Sequence, residues 1–163
     1  MPVKASDSTL PLADSLVRAL DINFRITRYL VENLDAKAWH AKTPDGKGRT
    51  VAAIVAHIHN VRRMWLKAAG SKNIPEQLEK EKLSAKEALA ALDESAAALH
   101  ALVAESLATG TRVKGFKPDT AAFLGYIIAH DSHHRGQIAM LVRQTGCPLP
   151  KQVDFGMWEW GVR

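Results

Sequence analysis

The chain has a single cysteine, Cys147, in 163 residues. One cysteine has no partner within the chain, so a disulfide scaffold is excluded and a reducing compartment, the cytoplasm, is the expected location. No apolar run approaches the roughly 18 residues that a membrane span requires. Residues 1–9 lack an apolar h-region, so no secretory signal is expected. Aromatic residues make up only 6% of the chain. They do not interleave the basic residues in the way a single-strand nucleic-acid binder requires, and no zinc-finger spacing accompanies them. Disorder is excluded by an apolar content of 47% and a net charge of only +5. What remains is one globular domain, residues 1–163, of ordinary size. It carries seven histidines that need an explanation.

The positive charge has an address. Residues 36–75 hold eight basic side chains and one acidic one, a net charge of +7. These are Lys37, Lys42, Lys47, Arg49, Arg62, Arg63, Lys67 and Lys72. The reading is a solvated basic face, or the mouth of a site that attracts a small anionic substrate.

Four segments read as helices and none as a strand. Leu12, Leu16, Leu20 and Phe24 form a helical stripe over residues 11–33, with Pro11 suited to a first turn. Pro44-Asp45-Gly46 marks a turn in the loop that follows. A second helix starts at Thr50, a natural N-cap, and ends before Gly70. A third opens with the capping-box run Ser84-Ala85-Lys86-Glu87 and stops before Gly110. The fourth begins at Asp119 and ends at Gly146, with Pro148 beyond. The last residues, with Phe155, Trp158 and Trp160, read as an ordered tail packed on the bundle. The expected fold is all-α, a four-helix bundle with long connections that permit a crossover topology.

Three histidines fall within His130-Asp131-Ser132-His133-His134-Arg135-Gly136-Gln137. A helical residue advances about 100°, so His130 and His134 share the face of Phe123, Ile127, Ile138 and Leu141, one turn apart. His133 falls about 120° away and faces outward by the same projection. On the second helix His57 lies about 80° from the centre of the Ile54, Ile58, Val61, Trp65 stripe. His59 lies about 120° away on the other side. The projection favours His57 as the inward residue, although the adjacent His59 and His133 leave room for a shifted register. An inward imidazole must satisfy two nitrogens. Two stacked on one face, with a third on another helix, suit a divalent metal with positions left open for water or substrate.

Other residues near the cluster have plainer readings. Asp131 projects toward the apolar face, where pairing with Arg135 one turn on is favoured over orienting a histidine. Gly136 in mid-helix suggests a close helix approach. Gln137 lies near the histidines or an interface. Trp65 and Tyr126 read as core or rim, and Cys147 as a helix-end residue. His40 and His100 join no cluster.

The run H-x-x-x-H-R-G-Q at His130–Gln137, with Ala56-His57-Ile58 and a tryptophan eight residues on, resembles the DinB-like (damage-inducible B) family over most of the chain. The resemblance implies a four-helix bundle, often a homodimer. It implies that His57, His130 and His134 bind a divalent ion such as zinc, nickel or iron. It brings in relatives that are transferases or isomerases using a low-molecular-weight thiol. The expected function is a metal-dependent enzyme, a thiol S-transferase or a hydrolase, acting on a small molecule. Two alternatives stand beside it: a non-catalytic metal-binding stress protein, and a basic helical module for nucleic acid.

Overall fold

The apolar stripes become helices close to their expected bounds. The computed structural model describes residues 10–163 except residue 81. It places α1 at Leu12–Glu32, a 3-10 turn at Ala36–Ala38, α2 at Val51–Ala69, α3 at Ala85–Thr109, α4 at Thr120–Gln144 and a short α5 at Lys151–Gly156. Among the described residues there is no strand. No helix among them is long and apolar enough to cross a membrane. The reading of residues 1–9 lies outside them.

The helix ends are set by local chemistry. The side chains of Thr50, Ser84 and Asp119 accept bonds from the backbone of Ala53, Glu87 and Ala122. Glu87 returns a bond to the Ser84 N–H at 2.9 Å, which completes the capping box. Each such cap stabilises its helix by about 1 kcal/mol. Gly70 and Gly110 close α2 and α3 at φ of 80° and 66°, where a side chain would strain the backbone.

α1 packs on α3 and α4, and α2 packs on the same two helices. α1 and α2 therefore occupy one diagonal of the bundle, and α3 and α4 the other. The connections over residues 33–50 and 110–119 therefore run across those diagonals. Trp39 anchors the first of them, its indole donating to the Leu83 carbonyl at 2.6 Å.

Two apolar clusters fill the interior. One gathers Leu30, Ile54, Ile58, Leu92, Ile138 and Leu141. The other gathers Leu20, Phe24, Leu66, Leu99, Phe123 and Ile127. Along each of the four long helices polar residues fall at the level between the two sets: Asn23 and Thr27 on α1, Arg62 on α2, Ser95 on α3 and Asp131 on α4. All five are buried. A polar layer thus divides the core at mid-height.

The tail departs from expectation. Val153 is buried and Met157 packs on the core, so the segment is ordered. Phe155 and Trp158 instead face solvent, 69% and 78% exposed. α5 presents one apolar edge to the bundle, and its short length leaves the other aromatics without a surface to cover.

Candidate metal centre

His57 on α2 and His130 and His134 on α4 meet across the seam between those helices. The His130 Nε2 lies 3.3 Å from the His57 Nε2 and 3.2 Å from the His134 Nε2. The His57 and His134 rings meet edge to face, centroids 4.6 Å apart. One ligand atom from each lies within 4.8 Å of the others. Nitrogens bound tetrahedrally at about 2.0–2.1 Å sit roughly 3.3 Å from one another, so this donor set fits a single ion.

The outer nitrogens decide the tautomers. The His134 Nδ1 lies 2.7 Å from the Gln137 side-chain oxygen, an acceptor, while the Gln137 amide nitrogen lies 3.0 Å from the His133 Nε2. That arrangement puts the His134 proton on Nδ1. The His130 Nδ1 faces the Asp131 Oδ1 at 3.6 Å, and both atoms are otherwise without a hydrogen-bond partner. The separation is too long for a direct bond, but a carboxylate can only accept, so it favours the proton on Nδ1 there too. Two Nε2 lone pairs then point at each other across 3.2 Å. Such a contact is repulsive unless a cation stands between them.

The basicity of the cluster agrees. Burial, and then the neighbouring His134, Arg49 and His130, push His57 down to about 4 from an ordinary 6.5. Burial also holds His134 below its ordinary value, against the bond to Gln137. Both rings are neutral at pH 7 and available as ligands. Because the folded state of His57 resists protonation, its contribution to the stability of the metal-free protein is complete above about pH 6.5 and is lost as pH falls toward about 4. Thermal melts of chelator-treated protein across that window should show the decline, and His57→Gln should make it shallower. An unchanged pH slope in that variant would contradict the assignment.

Behind the histidines lies the polar layer. Asp131 is fully buried and accepts from Arg62 at 2.6 Å and from Asn23 at 2.9 Å, both on Oδ2. Burial would raise its pKa, but Arg62, His130 and Arg135 together hold it below the ordinary carboxylate range. Arg62 also donates to the Leu92 carbonyl at 3.3 Å, and its guanidinium lies 4.3 Å from the centre of the Phe24 ring. Asp131 therefore has one oxygen committed to the bundle and the other free toward His130. Such a carboxylate fixes the tautomer and orientation of a ligand imidazole.

Several expectations are corrected here. His59 does not face outward: it is fully buried, its Nδ1 and Nε2 lying 2.9 and 2.8 Å from the carbonyls of Ala91 and Glu76. Arg62 belongs to no basic surface, and Arg63 is engaged with the Pro75 carbonyl at 2.9 Å. Asp131 pairs with Arg62 rather than Arg135, which instead binds Asn23 and Thr27 on α1, each at 2.7 Å. No neighbour approaches Gly136, and nothing in the structure explains it. Gln137 does contact a histidine. His133 is exposed, Cys147 is half-buried against the core, His100 contacts Asp21 at 2.8 Å, and Tyr126 stacks on His130.

A cleft of about 490 Å³ opens beside the cluster, with His134 in its wall. A larger hollow of about 710 Å³, around Lys72, Thr109 and Arg112, has no histidine in its lining.

The sequence pattern of the DinB family matches residues 1–161. A crystal structure of a DinB-like protein from Bacillus cereus ATCC 10987 has a similar fold, with 20% identity and a TM-score of 0.62. The match covers 84% of this chain and 95% of that one. No curated protein matches the sequence.

Proposed function

This chain belongs to the DinB family, and on that premise we propose that it is a metal-dependent enzyme, a thiol S-transferase or hydrolase, whose divalent ion is held by His57, His130 and His134. Residues 1–163 act as one domain in this reading. The observation that carries it is the close approach of three Nε2 atoms, that of His130 lying 3.2 Å from His134 and 3.3 Å from His57. Three imidazole ligands suit zinc, nickel and iron alike. When bound, such an ion would bring the pKa of a water or thiol taken up beside the three histidines toward neutral.

The chain's own residues do the rest. Asp131 behind the cluster and Gln137 beside it draw the Nδ1 protons of His130 and His134 away from its centre, which keeps both Nε2 atoms free. Burial keeps His57 and His134 neutral. Cys147 packs on the core, so thiol chemistry would use an external thiol. The resemblance also carries a homodimer, and exposed Phe155 and Trp158 offer apolar surface for it; sedimentation as a monomer would remove that part.

The activity test is turnover of an electrophile such as 1-chloro-2,4-dinitrobenzene with a small thiol, and of a panel of hydrolase substrates. The reading expects turnover that needs metal and vanishes in His57→Ala. Equal turnover after metal removal would contradict it. Full metal occupancy with no turnover across the panel would leave a non-catalytic metal-binding protein.

A further inference from the structure

The cleft beside His134 has a chemistry of its own. Its wall carries Arg49 and no acidic side chain. Thr43 and Gln144 add polar groups, and Ile54, Met140 and Leu141 supply an apolar side. Arg49 is exposed, and no ion pair engages it among the described residues. Its charge reaches the metal cluster, where it depresses the basicity of both His57 and His134.

The backbone around Arg49 is held firmly. The Gly46 N–H donates to the Thr43 carbonyl and the Gly48 N–H to the Thr43 hydroxyl, both at 2.8 Å. The Lys47 N–H donates to Asp45 at 3.1 Å. A side chain at Gly48 would collide with that of Thr43. Immediately after Arg49, Thr50 caps α2. This knot positions the arginine backbone before any ligand arrives, which lowers the ordering cost of binding. Met140 meanwhile is 63% exposed at the cleft, an apolar surface without a cover.

We infer that this cleft is the substrate seat and takes a small monoanion with a short apolar body. Arg49 holds the anionic head, and Ile54, Met140 and Leu141 receive the body. The contact with His134 brings the bound molecule against the metal cluster. The guanidinium fork matches a carboxylate in two parallel hydrogen bonds, so a carboxylate is the preferred head. The volume falls within the range of small-ligand pockets. This inference deepens the metal-enzyme reading and rests on it for the meaning of the site.

The probes are hexanoate and its neutral analogue hexanamide, titrated into metal-loaded and chelator-treated protein by calorimetry or NMR. The variant is Arg49→Gln, and metal content is measured on the same samples. Hexanoate should bind both forms of the wild type about tenfold more tightly than hexanamide. Arg49→Gln should erase that preference in both forms and leave metal content and hexanamide binding unchanged. Three outcomes overturn the inference: no hexanoate binding, equal affinity for the two probes, or hexanoate binding that needs metal and ignores Arg49→Gln. The last would mean that the carboxylate ligates the ion directly. Absence of metal from the wild type sinks the proposed function, while the chelator-treated comparison still judges the cleft.

Discussion

Replacing His130 with alanine is expected to weaken divalent-metal binding by roughly a hundredfold or more, with the bundle still folded. His130 is the middle nitrogen of the cluster, 3.3 Å from His57 and 3.2 Å from His134. Its removal leaves two imidazoles and one open side. It also leaves the free oxygen of Asp131 without its neighbour, but that carboxylate keeps Arg62 and Asn23. The fold should therefore survive, and circular dichroism of the variant should match the wild type. His133→Ala, three residues further along α4 and exposed, should retain metal. Stoichiometric metal in purified His130→Ala would mean that the ion sits elsewhere.

Arg62→Leu should cost about 3–5 kcal/mol of stability, because it strands the Asp131 carboxylate in the interior. For a chain of this size that is a fall in Tm of roughly 10 °C. Asp131→Leu should cost a similar amount, since it strands a guanidinium of 1% exposure. The double variant should be less destabilised than the sum of the two, because an apolar pair leaves no charge unmatched. The two single variants should differ in a second readout. Asp131→Leu also frees the His130 ring, and metal affinity should drop by about 10–100-fold even in molecules that remain folded. Additive stability losses, or equal metal affinity in the two single variants, would contradict this role for the polar layer.

The parts of this molecule that a sequence can announce are local. Thr50, Ser84 with Glu87, Asp119, Gly70 and Gly110 act within one turn of their own positions, and each marks a helix end as read. His130 and His134 are one turn apart on one helix, so periodicity alone put them on a common face. His59 and Arg62 are misplaced for different reasons: Arg62 is counted by its charge alone, and His59 falls outside the projected stripe. The projection gave α2 a single buried stripe, whereas the helix packs on both α3 and α4. His57 turns to α4 and His59 to α3, so residues about 200° apart are both sheltered. The partner of Asp131 was likewise beyond reach: Arg62 lies on another helix, and only the diagonal crossing of the long connections brings the two together. Arg49 stood out in sequence as one basic residue among eight. Its place beside the histidines comes from the folded loop, and the glycines of that loop were the one local sign of it.

X-ray absorption at the edge of whichever metal the purified protein carries would read the ligands of the ion themselves. The account predicts one ion per chain with three imidazole nitrogens in its inner shell, at about 2.0–2.1 Å if the metal is zinc. It predicts that this histidine scattering is lost in the His130→Ala/His134→Ala double variant and retained in His59→Gln. A protein that purifies without metal and takes up none, or a spectrum that keeps its histidine scattering in the double variant, would contradict it.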